Sequence, residues 1–220
     1  IDVCNGLLTE DLYPELSRGT CIIDKPKLLY QYIKSYGQMH NKKLLSAFDC
    51  IDYSYFSNSK VNIFDWGCGQ GVATIVFKDY IDNNGINMNI SAINLIEPSY
   101  LALNRGYLIV RRKYDDVPIT CINKPIDDLQ DHDFDNFEGI NLHFFSNILD
   151  LPYFNLNIFI ELIERNFKGA NAFICISPFL DDEKNSRLIS FYNNFLRKYE
   201  TNLISQKINR KVGEWWCCNY

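Results

Sequence analysis

The chain has 220 residues, 47% of them hydrophobic, enough for one sizeable folded domain with an appendage. Its formal net charge of −5 offers no broad basic surface for a nucleic-acid duplex. No stretch reads as a signal peptide or as the ~18-residue apolar run of a membrane span. The eight cysteines, at 4, 21, 50, 68, 121, 175, 217 and 218, form no C-x-x-C pair, which argues against a zinc site and suits a reducing cytoplasm.

Residues 1–24, with Gly6, Pro14 and Gly19, read as a loosely structured lead-in. Pro26 suits the first turn of a helix running to Tyr36. A second helix is expected from Gln38 to Ile51, with Leu44, Leu45, Phe48 and Ile51 along one face. Between them Tyr36-Gly37-Gln38-Met39-His40 reads as a glycine break followed by polar side chains. Tyr36 and His40 are candidates for positioning a substrate, although packing explains any single tyrosine of this aromatic-rich segment as well.

After Lys60 the pattern changes. Val61-Asn62-Ile63-Phe64-Asp65-Trp66 reads as a buried strand that runs into Gly67-Cys68-Gly69-Gln70-Gly71, with a helix from about Val72 to Tyr80. Glycines in such a turn let the backbone bend sharply and approach a ligand, and the helix start adds free N–H groups. A dinucleotide fingerprint is G-x-G-x-x-G; here the third glycine comes one residue early, at Gly71. Asp65 would repel a pyrophosphate and attract an ammonium or sulfonium, so the site reads as one for a cationic group next to an adenosine.

The next strand, Ile90–Ile96, ends in Glu97-Pro98-Ser99. An acid at that strand tip is placed to accept two hydrogen bonds from a ribose diol. Pro98 stops the strand, Ser99 can cap, and Tyr100–Val110 carries apolar residues at helical spacing. A third strand, Val117–Asn123, leads into Lys124-Pro125-Ile126-Asp127-Asp128, and a fourth spans Ile140–Asp150 with His143 and Ser146 inside it. A helix over Tyr153–Phe167, a strand over Asn171–Pro178, a helix over 183–199 and two closing strands at 202–209 and 214–220 complete the reading.

Phe64-Asp65-Trp66-Gly67-Cys68-Gly69-Gln70-Gly71 resembles motif I of the class I S-adenosylmethionine-dependent methyltransferases, and the resemblance extends over about 60–220. It implies an α/β, Rossmann-like, seven-stranded and mostly parallel sheet with helices on both faces, closed by an antiparallel hairpin. An N-terminal helical extension, 1–59, would precede this 60–220 domain and cover the cofactor. The implied cofactor is S-adenosyl-L-methionine, with Asp65 and the Gly67, Cys68, Gly69 and Gly71 turn on the methionine part. Glu97 with Pro98 would hold the ribose, and Ile126 with Asp127, or alternatively Asp128, the adenine. Ser146 would line the methionine end.

His143 is a candidate general base beside the methyl group, or a histidine turned into the sheet packing. Ser146-Asn147-Ile148-Leu149 departs from the [DNS]-P-P-[YFW] of enzymes that methylate nucleobase amines, and Leu151-Pro152-Tyr153-Phe154 is a poor substitute. The implied activity is methyl transfer to an acceptor the motifs leave unnamed, a small molecule being favoured. An RNA or DNA methyltransferase is the first alternative; the second is an inactive cofactor fold that serves as a binding module.

Overall fold

In the computed structural model, residues 2–8, 10–135, 137–178 and 182–219 are described. Strands β1 (Lys60–Trp66), β2 (Asn89–Ile96), β3 (Ile119–Ile122), β4 (Ile140–Ser146), β5 (Ala170–Pro178), β6 (Lys207–Val212) and β7 (Trp215–Asn219) form one sheet in the order β3-β2-β1-β4-β5-β7-β6. Five of the seven strands, β3 to β5, run parallel; β7 pairs antiparallel with both β5 and β6 and closes the sheet. Tyr220, the end of the expected last strand, lies outside the described residues.

Every residue of β1 after Lys60 is buried, because helices cover both faces of a parallel sheet. On one face lie α2 (Pro26–Phe48), α3 (Val72–Asn83) and α4 (Tyr100–Lys113). Their Leu44, Phe48, Phe77, Ile81 and Val110 pack on Ile63, Leu95, Phe144 and Ile174 of the strands. On the other face α5 (Leu156–Asn166) and α6 (Asp182–Lys198) bring Phe159, Ile163, Phe191 and Phe195 against Phe64, Trp66, Phe145 and Cys175. Alternation along β1 thus sends Ile63 to one side and Phe64 and Trp66 to the other.

The lead-in is more ordered than its sequence suggests. α1 covers Asp2–Leu7 and a 3₁₀ segment covers Tyr13–Gly19. The two helices expected between Pro26 and Ile51 are one, since α2 runs unbroken through Gly37. Tyr32, Tyr36, His40, Lys43 and Leu44 keep helical spacing across the glycine, and packing of that stripe outweighs its propensity cost of about 1 kcal/mol. No helix among the described residues is long and apolar enough to cross a membrane.

Candidate functional site

β1 delivers the chain into the glycine turn at the carboxyl edge of the sheet. Cys68 N–H bonds to the Ile96 carbonyl at 3.0 Å and Gly71 N–H to the Cys68 carbonyl at 2.8 Å, so the turn is tied to the end of β2 and to itself. All three glycines have positive φ: +61° at Gly67, +53° at Gly69 and +74° at Gly71. They differ in what stands over them. A Cβ on Gly67 would meet Ile148 Cδ1 at 2.9 Å and one on Gly71 would meet Val110 Cγ2 at 2.9 Å, whereas one on Gly69 would meet nothing within 4 Å.

The open space over Gly69 belongs to a cavity of about 420 Å³, within the roughly 300–1,000 Å³ range of small-molecule sites. Gly67, Gly69, Glu97, Pro98, Ile126 and Ser146 of the sequence-derived set line it. Glu97 is held in place there. Its Oε2 accepts from Gly69 N–H at 3.0 Å and its Oε1 from Ser99 N–H at 2.9 Å. Burial raises the carboxyl above its ordinary value, and those two backbone N–H groups oppose the rise. A carboxylate has about four acceptor positions, so two remain for a ligand.

The other candidates lie elsewhere. Asp65, 1% exposed, turns toward α3, where its Oδ2 accepts from Thr74 Oγ1 at 2.7 Å and from Thr74 N at 3.3 Å. Gly71 is the residue before α3 and has no side chain to cap it, so Asp65 satisfies one of the helix's free N–H groups from the strand below. Burial pushes its carboxyl up to about 7. A carboxylate so placed does not reach the cavity, and the charge argument drawn from it for ligand choice falls. Cys68 is buried with its thiol against the Gly69 carbonyl, and burial raises its pKa well above the ordinary value. Asp127 accepts from Asn155 N–H at 2.9 Å and so anchors the loop before α5.

None of the three catalytic candidates lines the cavity. His143 is fully buried on the α5 face of the sheet, with Trp66 Nε1 and Asn171 Oδ1 each 3.1 Å from its ring nitrogens. Burial lowers its pKa to about 3. Tyr36 and His40 stack with centroids 6.1 Å apart on the buried side of α2. Burial, and then the Lys43 charge, bring His40 down to about 4.

The far wall escapes a reading of motifs. Gly19–Ile23 of the lead-in and Tyr32 of α2 also line the cavity. Ser99 Oγ donates to the Ile23 carbonyl at 2.6 Å. Gln70, inside the turn, donates to the Leu29 carbonyl at 3.0 Å and accepts from Arg105 Nη1 at 2.8 Å. The Arg105 guanidinium in turn lies over the Tyr30 ring, 4.7 Å from its centroid. Gly106 brings α4 against the turn: a Cβ there would meet Gln70 C at 2.9 Å and Gly71 N at 3.0 Å. A lone glycine inside a helical pattern was the available signal for that contact.

No protein-family model matches the chain, and no curated protein does. A solved structure of an S-adenosylmethionine-dependent methyltransferase from Aquifex aeolicus superposes with a TM-score of 0.51, covering 90% of this chain and 97% of that one at 12% identity. The fold is that of the class I methyltransferases. Magnesium protoporphyrin IX methyltransferase from Synechocystis PCC 6803, solved with bound S-adenosylmethionine, covers 100% of this chain and 95% of its own at TM-score 0.47 and 10% identity. The StiE O-MT structure, residues 942–1257, gives a TM-score of 0.46 over 68% of this chain at 14% identity, and the chain spans about half, 48%, of its length. At these identities the likeness to the methyltransferase fold is one of architecture, and the site must be argued from its own residues.

Proposed function

We propose that the protein is an S-adenosylmethionine-dependent methyltransferase acting on a small molecule. One observation carries the reading: Gly69 opens onto the cavity with nothing within 4 Å of where its Cβ would be, beside a carboxylate that two backbone N–H groups already orient. The residues fit the cofactor. Glu97 would take the two ribose hydroxyls with its remaining acceptor positions, and Pro98 and Ile126 offer apolar surface to an adenine ring. The backbone at Gly67 and Gly69 would run alongside the methionine part.

When bound, S-adenosylmethionine supplies an activated methyl group, so the protein's task is alignment of the acceptor and exclusion of water. Gly19–Ile23 and Tyr32 line the cavity from the lead-in and suit that task. The cover favours an acceptor small enough to pass it, and the net charge of −5 gives a nucleic-acid backbone no attraction.

Calorimetry with S-adenosylhomocysteine, S-adenosylmethionine and NAD tests the reading. Both adenosyl ligands should bind and NAD should bind more weakly than either. A charge-assisted contact is worth about 1.5–3 kcal/mol, so Glu97→Ala should weaken S-adenosylhomocysteine roughly ten- to a hundredfold. Tighter binding of NAD, or unchanged affinity in a folded Glu97→Ala protein, would overturn it.

A further inference from the structure

Gln70 stands between two glycines of the turn, and its side chain is held at both ends. It is 2% exposed, flanked by Gly69 at φ +53° and Gly71 at φ +74°. Its Nε2 donates to the Leu29 carbonyl of α2 at 3.0 Å, and its Oε1 accepts from Arg105 Nη1 of α4 at 2.8 Å. A carbonyl only accepts and a guanidinium only donates, so these two partners allow the amide one orientation. The Arg105 guanidinium is set in turn by the Tyr30 ring of α2, 4.7 Å from its centroid.

From Gln70 the connections lead straight to the site. Gly69 N–H, one residue before it, bonds to Glu97 Oε2 at 3.0 Å. Tyr32, about one helical turn after Leu29, lines the cavity together with Gln70 itself, whereas Arg105 does not. Glycine loses more freedom on ordering than any other residue, so a loose Gly69-Gln70-Gly71 would have to be ordered by the ligand, at a cost in affinity. Without Arg105, Gln70 Oε1 becomes a buried acceptor with no donor. The amide relieves that by turning, and in turning it gives up Leu29 as well.

We propose that Arg105 is a positioning residue for cofactor binding and acts through Gln70. Arg105 fixes the Gln70 amide, and the amide ties the glycine turn to the helix that carries Tyr32. The inference rests on the methyltransferase reading above, which assigns the cavity to S-adenosylmethionine. Two residues that act as one unit give losses that do not add, whereas independent contributions do. That difference separates positioning of the turn from a general stabilisation by α4.

The test is calorimetric titration of S-adenosylhomocysteine into the wild-type protein, Arg105→Ala, Gln70→Ala and the double variant. Each single substitution should raise the dissociation constant roughly fivefold or more, and the double variant should lie within about twofold of the weaker-binding single. Two further variants separate the hydrogen bond from packing. Arg105→Lys keeps a donor for Gln70 Oε1 and should bind within about threefold of wild type, whereas Arg105→Met keeps a stem over Tyr30 without a donor and should bind as weakly as Arg105→Ala. Arg105→Met also carries the comparison should the alanine variant fail to fold. Wild-type affinity in folded Arg105→Ala or Arg105→Met, equal affinity in Arg105→Lys and Arg105→Met, or a double variant whose loss is the product of the two single losses overturns the inference. Failure of the wild-type protein to bind S-adenosylhomocysteine would overturn the methyltransferase reading itself, and this inference with it.

Discussion

His143 shows how neighbours decide what a titratable side chain does. Trp66 Nε1–H can only donate, so the Nδ1 facing it at 3.1 Å must accept, and the ring proton sits on Nε2, which donates to Asn171 Oδ1. Asn171 is the end of a row across three strands: Asn62 donates to Asn141 Oδ1 and Asn141 to Asn171 Oδ1, each at 3.3 Å. The neutral tautomer is thus built into the sheet. Unfolded, the ring takes a proton near pH 6.5; folded, only near 3. The folded state therefore binds fewer protons between those values, and this group's stabilisation is complete above pH 6.5 and is lost as pH falls toward 3. Chemical denaturation at pH 4.5 and 6.0 should show a pH slope smaller in His143→Gln than in wild type by about one proton, roughly 1.4 kcal/mol per pH unit. An equal slope would mean that the folded ring takes up protons, as a base in catalysis must. Strand alternation in the sequence put His143 on a sheet face but did not reveal that Trp66 and Asn171 stand beside it.

At the scale of elements, the lead-in and α2 act as the missing wall of the site, and Ser99 is their attachment. Its Oγ caps α4 by accepting from Ala102 N–H at 3.1 Å while donating to the Ile23 carbonyl at 2.6 Å. Loss of a cap costs about 1 kcal/mol and loss of a buried hydrogen bond about as much again. Ser99→Ala should therefore lower the melting temperature by roughly 4–8 °C, taking about 2–4 °C per kcal/mol for a chain of this size. An unchanged melt would show that the lead-in is not held there. The cap was legible, since serine between a proline and an apolar helix is a local signal. The tether to Ile23 was not, because it joins residues 76 apart in the chain and depends on how the lead-in crosses the sheet edge. Gly37 misled for a related reason: local propensity marks a break, but the stripe that α2 buries continues through it.

For the whole molecule, the parallel core was readable because each strand, turn and helix of 60–178 carries its own periodicity and punctuation. The acid at the tip of β2 and the glycine turn were readable too, as both sit at strand ends where the chain itself fixes position. Asp65 was not, since a buried strand residue can face either helix layer and only the packing of α3 brings Thr74 to it. The central claim is that the glycine turn holds the cofactor, and Gly69→Val tests it most directly. The backbone there has φ +53°, so valine adds strain of about 1–3 kcal/mol, which a domain with roughly 5–15 kcal/mol of stability survives. The new side chain meets no protein atom within 4 Å at its Cβ and enters only the cavity. Calorimetric titration of S-adenosylhomocysteine into Gly69→Val should give no binding heat while far-UV circular dichroism stays near wild type; wild-type affinity in that variant would contradict the account.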